Sequence, residues 1–188
     1  MTAPPPAAPP PPGGSPAGPS PAGTPAATRT GAPDPSQSPP DTRRSLGAGA
    51  MIGVGLMAAV DEIVFHQLLG WHHFYDRLTS EVALFSDGVL HAVELVLLVA
   101  AFFVLADLQR RRTLAPGFVR AGFLVGAGGF QLVDGLVDHK VLRVHQVRYG
   151  VDLLPYDLAW NGFGALVLTV GLVLLARARR RSRAGAGR

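Results

Sequence analysis

The chain has 188 residues, a net charge of +4 and a pI near 10.3, with 15 of its 17 prolines in the first 45 residues. It contains no cysteine, which excludes a disulfide framework and any thiolate metal site; a bound metal would rest on His, Asp, Glu or a Met thioether. Six of the 17 basic residues lie at 177–188, directly after an apolar segment, which is a juxtamembrane pattern and argues against nucleic acid as the partner.

Residues 1–45 are rich in Pro, Ala, Gly, Ser and Thr and lack the apolar side chains that would offset the entropy of ordering, so they read as a disordered cytoplasmic tail. They offer neither the basic start nor the apolar h-region of a cleaved targeting peptide. Four apolar stretches follow, near 46–69, 83–106, 118–140 and 156–176. At ~1.5 Å per residue, roughly 20 residues cross a ~30 Å hydrocarbon core as a helix. Leu95–Ala106 and Leu166–Ala176 carry no charge, unlike soluble helices, which set a polar face against an apolar stripe. The sequence thus predicts an all-α integral membrane four-helix bundle over 46–176, followed by a basic cytoplasmic tail at 177–188. Placing both termini and the 107–117 turn on one side gathers 13 Lys/Arg there, against Arg77, Lys140, Arg143 and Arg148 on the other. The positive-inside rule then makes both termini cytoplasmic in a multi-pass cell-membrane protein, with the 70–82 and 141–155 connections facing outward.

The first and third spans match at a constant offset. Asp61, His66 and His72 recur as Asp134, His139 and His145, and Gly53 and Gly55 recur as Gly126 and Gly128. In the second and fourth spans, Asp87 matches Asp157 and His91 matches Asn161. The pattern reads as two tandem two-helix repeats entering the membrane in the same direction, related by a pseudo-two-fold axis along the membrane normal. The repeated glycines suit close helix packing.

All six histidines and ten of the 13 acidic residues fall in the outward half of the spans or in the outward loops. An ionised side chain in hydrocarbon costs roughly 2.5 to 3.5 kcal/mol, so these groups should face the interior and be paired, protonated or bound to a cation. Glu62 and His66 are four apart, as are Asp87 and His91, and Glu94 follows His91 by three, spacings that share one helical face. Imidazole and carboxylate projecting inward from facing helices is how bundle metal sites are assembled, and this donor set suits a transition metal ion, copper, iron or zinc, more than magnesium or calcium. The candidate metal residues are His66, His91, His139, Asp61, Glu62, Asp87, Glu94, Asp134, His72, His73, His145 and Asp157.

Structural alternatives stand beside these. His72, His73 and His145, near Trp71, Phe74 and Tyr75, could be interfacial anchors. Asp87 and Asp157 could cap or complement the starts of the second and fourth helices. Lys140, Arg143 and Arg148 could pair with Asp138 or Asp152 in a salt-bridge lattice.

The strings VFHQLLGWHH, SDGVLHAVE and VDGLVDHKVLRVHQVR resemble an uncharacterised family of bacterial four-span membrane proteins, domain of unknown function 2243, over about residues 47–176. The resemblance implies paired histidines ending both outer segments. His72 and His73 fit that pattern, whereas His145 is followed by Gln146, and Lys140 stands where relatives often carry His. If those extra histidines are ligands, this chain has a reduced site. The family names no reaction.

Three functions follow. The first is a membrane metal-binding protein with a His/carboxylate site near the outward face, for metal handling or redox chemistry. The second is a b-type haem protein with His66 and His139 as opposed ligands. The third is a proton- or ion-coupled transporter subunit, although the polar residues stop halfway across the bilayer. The partner is the lipid bilayer, with a homo-oligomer or a larger membrane complex as further options. The stretch GAGAMIGVG lacks the Lys-Ser/Thr of a phosphate loop, and there is no Ser nucleophile with a base and orienter.

Overall fold

The computed structural model describes residues 38–187; most of the proline-rich tail lies outside them. The described residues form four α-helices: α1 (Thr42–Asp61), α2 (Ser80–Arg110), α3 (Pro116–Leu132) and α4 (Leu153–Ala186). Two segments of π-helix, Glu62–Leu68 and Val133–Leu142, continue α1 and α3 without a break. Among the described residues there is no strand.

The helices overrun the expected spans. α1 begins at Thr42, inside the stretch expected to be disordered, because the Asp41 carboxylate caps it by accepting from the Arg44 backbone N–H at 3.0 Å. Asp41 N–H also donates to Thr113 O at 2.8 Å, and Ala115 N–H to Ser45 Oγ at 3.0 Å, tying this end to the α2–α3 turn. α4 likewise continues as helix beyond its apolar segment, through Arg177–Arg183.

The four helices form a row. α1 and α3 pack against each other at the centre, α2 flanks α1, and α4 flanks α3; α2 and α4 do not meet. The expected bundle around one shared interior is therefore corrected to a central pair with two flanking helices. Glycine sets the closeness of that pair. A Cβ on Gly49 would lie 2.1 Å from Val119 O, and one on Gly53 2.0 Å from Phe123 O. On the facing helix, Gly122 and Gly126 would each meet a carbonyl oxygen, of Leu46 and Ala50, at 2.2 Å. Two small-xxx-small stripes thus bring the backbones into contact. Gly55 makes room for Leu98 of α2, and Gly128 for Leu168 of α4.

Three helical stretches are long and apolar enough to cross a membrane: Thr42–Leu68, Ser80–Arg110 and Leu153–Gly185. α2 leaves Phe85, Val96 and Phe103 more than half exposed, as a lipid-facing helix would. α3 with its π extension is not apolar enough to join them, contrary to expectation. Gly117, Gly122, Gly126, Gly128, Gly129 and Gln131 dilute its apolar content. That composition follows from its place, since helices cover it on two sides.

Candidate metal centre

α1 and α3 change winding where the chemistry begins. In an α-helix, residues five apart point about 140° away from each other, so an Asp followed five residues on by His would not meet it. The wider π turn removes that conflict. His66 Nε2 lies 3.5 Å from Asp61 Oδ2, and His139 Nε2 lies 3.3 Å from Asp134 Oδ2. The two connections then fold back and add one ring each. His72 Nε2 stands 4.0 Å from Asp61 Oδ1, and His145 Nε2 stands 3.2 Å from Asp134 Oδ1. Each aspartate thus turns one oxygen toward the histidine five residues on and the other toward the histidine eleven on.

The imidazoles form a chain. Ring centroids are 4.5 Å apart for His66 and His72, 4.6 Å for His72 and His145, and 4.7 Å for His145 and His139, with the middle pair stacked within 5° of parallel. Their Nδ1 atoms are mostly committed elsewhere. His72 Nδ1 donates to Val147 O at 2.9 Å and His145 Nδ1 to Phe74 O at 2.8 Å, so the two outer connections hold each other's histidine. His66 Nδ1 donates to Asp87 Oδ1 at 3.2 Å, His73 Nδ1 to Asp87 Oδ2 at 2.6 Å, and His91 Nδ1 to Glu94 Oε1 at 2.5 Å. A carbonyl or carboxylate can only accept, so a neutral ring held this way carries its proton on Nδ1 and presents Nε2 as the acceptor, the arrangement that orients histidine toward a metal. His66 and His72 keep that Nε2 without a hydrogen bond, whereas His145 Nε2 is bonded to Asp134 Oδ1 at 3.2 Å and His91 Nε2 accepts from the Gln67 amide at 2.6 Å.

The charge balance is unusual. Asp61, Glu62, Asp87, Glu94 and Asp134 are at most 7 % exposed, and their ionic partners among the described residues are histidines only. Arg44, Arg110 and Arg111 pair with Asp107 instead, and Lys140 with Asp157. Asp61 Oδ1, Glu62 Oε2, His66 Nε2, His72 Nε2, Glu94 Oε2 and both ring nitrogens of His139 are buried without a hydrogen bond. Glu62 Oε2 approaches His66 Nδ1 at 2.7 Å and His139 Nε2 approaches Asp134 Oδ2 at 3.3 Å, ionic contacts whose alignment is too poor for a hydrogen bond. In the connections, burial and then the neighbouring imidazoles push the His72 pKa far below its ordinary value, which keeps that ring neutral. Burial also opposes charge on His145, but its hydrogen bond and attraction to Asp134 prevail and raise its pKa.

A metal ion fits these observations. Two N or O donors at ~2.0 to 2.2 Å from one tetrahedral ion are about 3.3 to 3.6 Å apart. The four Nε2–carboxylate separations, 3.2 to 4.0 Å, straddle that edge length. Asp61, His66 and His72 converge to within 4.8 Å, as do His72, His139 and His145, and so do Glu62, His66 and Asp87.

Most of the expected residues meet here. His73 joins through Asp87, and His91 stands at the edge, its Nε2 3.7 Å from Glu62 Oε1. Asp157 stays apart, bonded to the Lys140 ammonium. Neither Asp87 nor Asp157 caps a helix; Thr79 and Asp152 hold those positions, and Asp87 instead accepts from the Phe74 N–H at 2.8 Å. His72 and His145 are buried in the cluster rather than anchored at an interface, and Arg148 lies over the Trp71 ring at 4.8 Å instead of pairing with Asp152. The stacked pair occupies the space between His66 and His139, leaving no slot for a haem macrocycle. Trp160, whose Nε1–H donates to Asp134 Oδ2 at 2.9 Å, was not expected; its place one turn beyond Asp157 was the signal available. The backbone carbonyls of Phe74 and Val147 left no trace in the sequence.

No curated protein and no solved structure matches the chain. Residues 48–178, which take in both π segments and every candidate site residue, match the family model described as "Predicted membrane protein (DUF2243)". With four helices, three of them long and apolar enough to span a bilayer, and a match over most of its length, the chain belongs to the DUF2243 family of predicted membrane proteins.

Proposed function

We propose that this membrane protein binds a transition metal ion, copper, iron or zinc, in the His/carboxylate cluster at the ends of α1 and α3, for metal handling or redox chemistry. One observation carries the reading: four buried histidines turn Nε2 toward the oxygens of two buried aspartates, and three of them have Nδ1 fixed by an acceptor. Without a cation or protons between them, those lone pairs and carboxylates repel. Histidine supplies neutral donors, Asp61 and Asp134 supply the balancing charge, and Asp87, Phe74 O and Val147 O hold the rings in place.

In this reading the chain crosses the membrane four times as two tandem hairpins, with both termini cytoplasmic. The repeat is supported by matched contacts: Asp61 and Asp134, His66 and His139, His72 and His145, and Val147 and Phe74 each play the same part in the two halves. α3 serves as the third crossing, shielded from lipid by α1 and α4. A pocket of about 440 Å³ lined by Trp71, His72, His73, Asp76, Arg77 and Tyr149 would admit ions from the outer face to His72. Elemental analysis of detergent-purified protein tests the proposal. Near-stoichiometric copper, iron or zinc, lost in His66→Ala with His139→Ala, is the expected result; equal metal in both proteins, or none in either, refutes it.

A further inference from the structure

The two halves agree at the centre and differ at the flank. Around Asp87, the first half places Glu62, Gln67, His73, His91 and Glu94. At the matching positions around Asp157, the second half has Gly135, Lys140, Gln146, Asn161 and Gly164. The second flank is electrically closed: Lys140 Nζ bonds Asp157 Oδ2 and lies 3.4 Å from Gln146 Oε1. It is also sterically crowded. A Cβ at Gly135 would come within 2.5 Å of Asn161 Oδ1, and one at Gly164 within 3.0 Å of the Gln131 side chain, so the Asn161 and Gln131 side chains would have to shift to admit the residues that stand as Glu62 and Glu94 in the first half.

The first flank holds three buried carboxylates, Glu62, Asp87 and Glu94, and among the described residues no lysine or arginine pairs with them. Two of their oxygens, Glu62 Oε2 and Glu94 Oε2, are buried and lack a hydrogen bond. His91 has Nδ1 fixed by Glu94, and its Nε2 lies 3.7 Å from Glu62 Oε1 and accepts from the Gln67 amide at 2.6 Å. The same amide donates to Glu62 Oε1 at 3.2 Å and so stands between the two, at the position that matches Lys140. Unlike the fully buried His139, the His91 side chain is 36 % exposed.

We infer that the first half carries a second cation position at the Glu62 and Asp87 carboxylates, which converge with the His66 ring, with His91 Nε2 beside Glu62 as a further donor once the Gln67 amide swings aside; it takes a divalent transition metal ion, and the Lys140 ammonium is the fixed cation at the matching place in the second half. This deepens the metal-binding reading and rests on it. His66 joins the two positions, with Nδ1 on the side of Glu62 and Asp87 and Nε2 on the side of Asp61. The flank position and the central cluster are thus neighbouring positions that share the His66 ring.

The test is zinc content after the detergent-purified protein is stripped with a chelator and dialysed against zinc(II). Wild type should hold two ions per chain. His91→Ala should hold one. Gln67→Lys, which places an ammonium where the second half has Lys140, should also hold one, and its added charge offsets the buried carboxylates, so folding is not the limiting concern. His139→Ala should lose the central position and keep the flank one. Two ions retained in both flank variants, one ion in wild type that only His139→Ala removes, or loss of all zinc in either flank variant would each overturn the second position while leaving the central site standing. No zinc in wild type would overturn both.

Discussion

His139 gives a prediction whose sign depends on metal. Its side chain is fully buried, and neither ring nitrogen has a hydrogen bond. Without metal the ring is a liability: each unsatisfied buried polar group costs about 1 to 3 kcal/mol, whereas leucine, of similar volume, brings none. His139→Leu should therefore stabilise the metal-free protein by about 1 to 3 kcal/mol. With metal the order reverses. Zinc at a hundred times its dissociation constant stabilises the wild type by about 2.7 kcal/mol, and the variant forfeits most of this. For a chain of this size ~1 kcal/mol corresponds to roughly 2 to 4 °C in Tm, so zinc should raise the wild-type midpoint by roughly 5 to 11 °C and the variant's far less. Thermal unfolding in detergent, with chelator and with zinc, reads both differences. Equal zinc shifts in the two proteins, or a variant less stable than wild type in chelator, would refute the reasoning.

Other perturbations follow from the same geometry. Trp160→Phe removes the donor that holds Asp134 and should weaken zinc binding by about 10- to 100-fold, measured by competition with a chromophoric chelator. Metal affinity should fall with acid, because protons compete for the imidazoles. The raised pKa of His145 puts the start of that loss above the ordinary histidine range, so loading is complete at pH above the raised value and declines as pH falls through it; a loss confined to lower pH would contradict this. Gly53→Leu forces a side chain against Phe123 O, where even a Cβ would stand at 2.0 Å, and should cost more than the usual ~1 to 3 kcal/mol of overpacking, seen as loss of monodisperse protein. Arg143, at φ 52°, occupies the left-handed region where Gly70 sits in the first half, and Arg143→Gly should raise the midpoint by an amount equivalent to about 1 kcal/mol.

Much of this architecture is legible in the residues because each relevant signal is local. Apolar runs mark the helices, and the recurrence of Asp, five on to His, six on to His marks both halves of the cluster. The interval of five already conflicts with an α-helix, and π winding is what reconciles it, yet nothing in Glu62–Leu68 or Val133–Leu142 announces that winding by composition. The carbonyls of Phe74 and Val147 hold the histidines through backbone atoms, which side-chain identity does not encode. Asp87 and Asp157 look equivalent in sequence and end in opposite circumstances, because the partner that separates them, Lys140, lies on another helix. The row of helices was also hidden: Gly49, Gly53, Gly122 and Gly126 predict close packing but leave open which pair they join. The helix ends depended on Asp41 and on an arginine run able to continue α4 beyond its apolar segment.

X-ray absorption spectroscopy of the zinc-loaded protein tests the central claim most directly. The account predicts a nitrogen and oxygen shell at ~2.0 to 2.2 Å with the multiple scattering of at least two imidazoles, lost when His66 and His139 are both alanine. A first shell of water alone, or a spectrum unchanged in that variant, would contradict it.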